Sequence, residues 1–208
     1  MPPSFPPPVI FAPLQYHPEC NTDYWPTREL ADYENDVVEV LASIHGATIL
    51  AKEHPLMVGS RPPTFYRSLK RIPGLALVPH TVSARELIRS ADLVISWPGS
   101  TGIEAAAMGK SVIGVGRPYY ASGPLFSEVA TKADLLRLDE LVARAAAVGV
   151  RARDVRRAFL SRVLSCCVPG FIWPDAWAPR GRSEEEMDRT AASLGEALPQ
   201  WLEWRSRS

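Results

Sequence analysis

The chain has 208 residues, 46% of them hydrophobic, which is enough for one sizeable core with appended helices. Lysine plus arginine and aspartate plus glutamate both number 23, so the formal net charge is zero; no global field argues for nucleic acid or an acidic membrane, and any anion site must be local. The three cysteines (Cys20, Cys166 and Cys167) do not form a disulfide framework and point to a reducing cytosol, and no apolar run approaches the roughly 20 residues of a membrane span.

The amino-terminal "MPPSFPPPVIFAP" has no basic region before its short apolar run. It reads as an extended lead-in rather than a secretory signal. "VIFAPL" (Val9–Leu14) is then a first strand. "ELADYENDVVEVLASIHG" is a helix closed by Gly46. "ATILAKEH" is a second strand, and "PTFYRSLKRI" a short helix with its proline near the start. "LALVP" is a third strand, followed by the helix "SARELIRSA". "DLVISW" is a fourth, followed by the helix "STGIEAAAMGK", and "SVIGVG" is a fifth. The strands are short, rich in Val, Ile and Leu, and do not alternate, as expected of a parallel sheet covered on both faces. The order predicts an α/β fold: a single Rossmann-like open parallel sheet of about five strands with right-handed crossovers.

After Phe126 the pattern turns helical. "DLLRLDELVARAAAVG" and "RARDVRRAFLSRVLSCC" have helical apolar spacing. "VPGFIWPDAWAPRG" is a connector, and "SEEEMDRTAASLGEALPQWLEW" is a last amphipathic helix with Ser183 and Glu186 at capping-box spacing. Two domains are expected: 1–126, the sheet, and 127–208, a helical carboxyl-terminal extension packing on it. There is no internal repeat.

In an open parallel sheet, ligands bind at the carboxyl ends of the strands. Three strands here end in polar residues: "LQYHPEC" with Gln15, His17 and Glu19; "KEHP" with Lys52, Glu53 and His54; and "SWPGSTGIE" with Ser96, Gly99, Ser100, Thr101 and Glu104. The Pro98–Gly99 turn leads into a helix whose amino end offers free N–H groups, hydroxyls and a positive dipole end for a phosphate. Gly102 leaves room for a ligand to approach the backbone. Thr101 and Glu104 also have capping-box spacing, so an ordinary helix start explains the stretch equally well. In strand alternation Lys52 and His54 share one side and Glu53 the other. A histidine there is able to donate to a phosphate oxygen or protonate a leaving group. For "HP" alone, a satisfied strand-end histidine beside a solvated Lys52–Glu53 pair is the better reading.

Together, "KEHP", "SWPGSTGIEAAAMGKSVIGVG" and "RPYYASGPLF" resemble the nucleotide-binding half of GT-B glycosyltransferases. The likeness is to bacterial capsule-polysaccharide enzymes that use CMP-activated sugars, the Kdo transferases and their sialyltransferase relatives, and it spans roughly Val9 to Phe126. It implies that His54 faces the donor phosphate. Ser96, Ser100 and Thr101 would form a second phosphate-side element, Glu104 would lie near the ribose, and Tyr119 and Tyr120 would border the donor pocket. Gln15, His17 and Glu19 occupy the first rim position; Glu19 is a candidate catalytic group beside His54, and Lys52 and Glu53 are candidate substrate contacts.

The resemblance implies a cytoplasmic glycosyltransferase acting in capsule or surface polysaccharide synthesis, peripheral at the inner membrane face. It would need no cofactor or metal, with a nucleotide-sugar as donor (CMP-sugar before UDP-sugar) and a glycan as acceptor. A GT-B cleft has two Rossmann-like halves, and the sequence holds one. The acceptor half is therefore expected from a partner chain or a homodimer. A non-catalytic nucleotide-sugar binding subunit, a remnant of a split enzyme and a sugar-nucleotide epimerase-like protein are the alternatives. The four histidines and three cysteines show no metal-ligand spacing, and no G-x-S-x-G elbow is present. Trp173, Trp177, Trp201 and Trp204 suit helix packing better than sugar stacking. "RARDVRR" reads as a solvated basic face.

Overall fold

The structure, a computed structural model, describes residues 6–23, 26–148, 152–165, 167 and 184–206. Trp173, Trp177 and Ser183 lie outside them, as do the side chains of Trp201 and Trp204. The chain divides into two compact units, Met1–Phe159 and Leu160–Ser208.

The first unit is built on one six-stranded sheet: β1 (Val9–Pro13), β2 (Thr48–Lys52), β3 (Leu75–Val78), β4 (Leu93–Ser96), β5 (Ser111–Val115) and β6 (Phe126–Val129). The spatial order is β3-β2-β1-β4-β5-β6, and every pair is parallel. The helices are α1 (Cys20–Asp23), α2 (Tyr33–Ala42), α3 (Pro63–Lys70), α4 (Ala84–Ser90), α5 (Ser100–Ala107), α6 (Leu138–Ala147) and α7 (Ala152–Ser165), the last running into the second unit. That unit also holds α8 (Glu184–Ser206), a helix interrupted in its ladder by Pro199. Among the described residues, no helix is long and apolar enough to cross a membrane.

Strand alternation sorts the side chains. Ile10, Ile49, Ile95 and Ile113 lie in the main core cluster with Tyr33 and Leu41 of α2, Phe65 and Leu69 of α3, and Leu141 and Val142 of α6. Phe11 and Val94, next along their strands, belong to the opposite face, where α4 packs on β1 and α5 on β4 and β5. Both faces are thus covered, and β1, β2, β4 and β5 are apolar in runs for that reason.

The sixth strand is a correction to the sequence reading, which expected about five strands and helix from residue 127. "FSEV" is four residues long with only Val129 buried, so it carries no apolar run to read. It is a strand because β5 offers it a parallel ladder, Val112 opposite Phe126 through Val115 opposite Val129. Gly116 turns the chain out of β5 at φ +81°, with the Cα of Pro26 only 3.0 Å from where a Cβ would sit. That turn sends Tyr119 and Tyr120 along the carboxyl edge.

Phe11 is fully buried in the central strand, flanked by β2 and β4. Phe11→Ala is expected to lower the unfolding free energy by about 3–5 kcal/mol, as for other large-to-small core changes. Chemical denaturation monitored by circular dichroism checks this.

Candidate functional site

Because all strands are parallel, the ends of β1, β2, β4 and β5 share one edge. The chain runs outward from β1 to β3, then returns to β4 on the other side of β1. That reversal is a topological switch point at the carboxyl ends of β1 and β4, the place where open sheets of this kind bind ligands.

Lys52 closes β2, paired with Pro13 and Val78, and is 8% exposed. Among the described residues its ammonium makes no salt bridge. The neighbouring carboxylate of Glu53 is instead bonded to Arg61. Burial pulls the Lys52 pKa below its ordinary value, with the Glu53 charge opposing. Continuing the β1–β4 register from Phe11 opposite Val94 brings Ser96 level with Pro13 and Lys52. Lys52 and Ser96 are then two strand spacings apart, about 9–10 Å.

His54 lies just past β2, at the start of the short 3-10 helix Pro55–Met57. Its backbone N–H donates to Glu53 Oε1 at 2.7 Å. Its Nδ1 accepts from the Leu56 N–H at 3.3 Å, which assigns the ring proton to Nε2. Tyr16 meets the ring edge-on at a centroid distance of 5.8 Å. Burial lowers the His54 pKa, Glu53 and Glu19 oppose this, and Lys52 and Arg61 reinforce it. The side chain is therefore a neutral Nε2–H donor at neutral pH. Glu19, on the loop after β1, is exposed and close enough for its charge to act on His54.

The turn after β4 differs in detail from the reading of the sequence. Gly99, in extended conformation, is the residue before α5, and no side chain caps the helix. The expected Thr101–Glu104 capping box does not form; Ser100, the first helical residue, donates its hydroxyl to Glu104 Oε1 at 3.0 Å. The carboxylate is thus engaged by Ser100, and among the described residues no side chain accepts from the first-turn N–H groups. Thr101 is partly exposed beside them. Ser96 is fully buried and its hydroxyl donates to the Trp97 carbonyl at 2.8 Å, so it supports the turn rather than facing outward. Gly102 does not leave room for a ligand either: a Cβ there would stand 2.3 Å from the Tyr120 hydroxyl oxygen. The glycine lets the Tyr120 ring pack under the helix start. The Tyr120 hydroxyl is buried and, among the described residues, makes no hydrogen bond of good geometry. Burial pushes its pKa up to about 12, although Gly99 and Ser96, which face it, pull the other way. Tyr119 is 70% exposed beside it.

Three expected ligand contacts turn inward. Glu53 belongs to the other face, where its Oε2 accepts from Arg61 Nε at 2.8 Å and from the Tyr66 hydroxyl at 2.7 Å. Gln15 is buried: its N–H donates to the Tyr33 hydroxyl at 2.5 Å, its carbonyl accepts from Arg61, and its amide nitrogen lies 3.5 Å from Ser96 Oγ. His17 Nδ1 lies 3.1 Å from Thr22 Oγ1 and 3.2 Å from Asp23 Oδ1, with its ring stacked on Tyr33. Arg61, the hub of this inner cluster, carries no signal in the sequence: its partners come from three separate elements. His80, after β3, lines a cavity of about 410 Å³ with Glu53 and Tyr66. His45 sits at the opposite, amino edge, with its Nδ1 2.9 Å from Asp139 Oδ2. Among the described residues, no group of three or more His, Cys, Asp and Glu is placed to hold a metal ion.

Against this geometry the comparisons with known proteins are informative. Residues 34–131 match the family model described as capsule polysaccharide biosynthesis protein. This is just under half of the chain, and it takes in Lys52, His54 and the turn into α5. It bears out the resemblance read from the motifs. No curated protein matches. Among solved structures, the chain is similar to the beta Kdo 2,7 transferase of Thermosulfurimonas dismutans KpsC (27% identity, TM-score 0.47, covering 70% of this chain and 47% of that one). It is also similar to the beta Kdo 2,4 transferase of the same KpsC (23%, 0.47, 66% and 43%). A third likeness is to S. aureus TarM, solved in a complex that includes UDP (12%, 0.48, 76% and 35%). The chain spans less than half the length of each.

The depressed His54 pKa has a definite sign. The folded protein binds fewer protons at this ring than the unfolded chain, so stability falls as pH drops below the ordinary imidazole value of about 6.5. NMR titration is expected to place the His54 midpoint below that value in the ligand-free protein. The buried Tyr120 hydroxyl, without a hydrogen bond of good geometry among the described residues, makes a second prediction. Tyr120→Phe is expected to leave stability unchanged or to raise it by about 1–3 kcal/mol, read by denaturant unfolding.

Proposed function

We propose that this chain is the donor-binding part of a glycosyltransferase of capsule or surface polysaccharide synthesis, and that its donor is a CMP-linked sugar. One observation carries the reading. Lys52, a largely buried lysine with no salt bridge among the described residues, and the Nε2–H of His54 stand on the edge where the start of α5 also opens. Three donors of positive character thus share one edge, in a chain of zero net charge. A nucleotide phosphate satisfies all three. The family match over the same residues supports this reading.

In glycosyl transfer the bond between the anomeric carbon and the phosphate oxygen breaks, and negative charge collects on the departing phosphate. Lys52 and the first-turn N–H groups of α5 stabilise that charge, and His54 Nε2–H donates to the leaving oxygen. Glu19, on the neighbouring loop, takes the proton of the acceptor hydroxyl in this reading. Tyr119, exposed at the same edge, offers a ring face to the nucleoside. Thr101 adds a hydroxyl at the start of α5, while Ser100 and Glu104, bonded to each other, border the ribose side. The acceptor glycan is held by a facing surface beyond this sheet unit, at the cytoplasmic side of the membrane.

Calorimetry with CMP tests the reading. His54→Ala is expected to weaken binding by about 1–3 kcal/mol, the value of a hydrogen bond to a charged group, and UMP to bind more weakly than CMP. Equal affinity of wild type and a folded His54→Ala variant returns His54 to a structural role. Turnover with CMP-sugar and a capsule-type acceptor then separates a transferase from a binding subunit.

A further inference from the structure

We propose that Arg61 is a positioning residue that sets the gap between the two phosphate-facing elements, His54 and the turn into α5; the functional meaning of that gap rests on the donor-site reading above. Its side chain is fully buried. Nε donates to Glu53 Oε2 at 2.8 Å, Nη1 to Glu34 Oε1 at 3.3 Å, and Nη2 to the Gln15 carbonyl. The guanidinium carbon lies 5.2 Å from the centroids of both Tyr33 and Phe65. With two carboxylates and a carbonyl on one cation, Arg61 has no charge left for a ligand. Its effect reaches the rim through its partners.

Two routes lead outward. Glu53, held through Oε2 by Arg61 and Tyr66, takes the His54 N–H on Oε1 at 2.7 Å. That bond sets the backbone from which Leu56 N–H reaches His54 Nδ1, and so which ring nitrogen carries the proton. Gln15, held at its carbonyl, presses its side-chain oxygen against Gly99, 2.6 Å from where a Cβ would sit, and reaches toward Ser96. β2 and β4 do not touch, since β1 lies between them. Arg61 is the side chain that ties the end of one to the turn of the other. The function needs a planar fork aimed at three acceptors, which a lysine ammonium does not supply even though it keeps the charge.

The test uses Arg61→Lys and, as a milder perturbation that touches neither His54 nor Gln15, Glu34→Gln. NMR of the His54 ring in the ligand-free protein is the first readout. The wild type is expected to show the Nε2–H tautomer alone and Arg61→Lys a mixture, with Glu34→Gln moving the same way by less. CMP affinity is the second: Arg61→Lys is expected to lose about tenfold, and Arg61→Lys with His54→Ala to lose no more than the larger single change. A folded Arg61→Lys protein with an unchanged tautomer overturns the proposal, as do losses that simply add. If Arg61→Lys does not fold, an unchanged tautomer in Glu34→Gln overturns it. Should the wild type fail to bind CMP, the donor-site reading falls, and the tautomer measurement still decides whether Arg61 positions His54.

Discussion

Parallel pairing is the constraint on which everything else in the sheet unit depends. Each parallel strand must be followed by a crossover that returns the chain to the same starting edge. Six parallel strands therefore deliver all their carboxyl ends to one side. The crossovers cover both faces, which is why β1, β2, β4 and β5 are apolar in runs and carry their polar residues at their ends. Reversal of direction between β3 and β4 then puts the loops after β1 and β4 at a switch point. That switch point needs no special residue; it is a consequence of strand order.

Two cations near this edge show how position decides role. Lys52 and Arg61 are both buried. Lys52 ends β2 on the face shared with Ser96 and forms no salt bridge among the described residues. Arg61 lies on the other face, enclosed by two carboxylates, a carbonyl and two rings. Partial removal of a cation from water is costly, and the depressed Lys52 pKa expresses that cost. An anion that binds there relieves it. For Arg61, removing any partner leaves charge exposed to a low-dielectric interior, so the cluster is a rigid unit. The first arrangement suits binding, the second suits holding other groups in place.

The start of α5 shows a similar division. Ser96, Gly99 and Gly102 are occupied by packing: a hydroxyl turned onto its neighbour's carbonyl, a close approach to Gln15, and a close approach to Tyr120. The small residues there let side chains from the loops after β1 and β5 reach the turn. What remains open is the main chain itself, since Gly99 supplies no capping side chain. A helix start without a side-chain cap retains its N–H groups for water or an anion.

The sequence by itself determined the class of fold and the sheet edge on which the candidate groups lie. Runs such as "VIFAPL", "TILAK" and "DLVISW" are apolar because both faces of the sheet are buried, and their alternation with helical patterns leaves only a parallel, doubly wound solution. The strand-end groups Lys52, His54 and Gly99–Thr101 were legible for the same reason, as polar residues interrupting apolar runs. The edge strand Phe126–Val129 was not, because an edge strand needs only one ladder and little apolar surface. Nor were the separate fates of Glu53, Gln15 and Ser96, or the role of Arg61. Alternation shows that Glu53 points away from His54, but not that Arg61, Glu34 and Tyr66 wait on that side, since they arrive from α2, α3 and the loop before it. Hydrogen-bond partners distant in sequence are chosen by packing, and packing exists only in the folded chain.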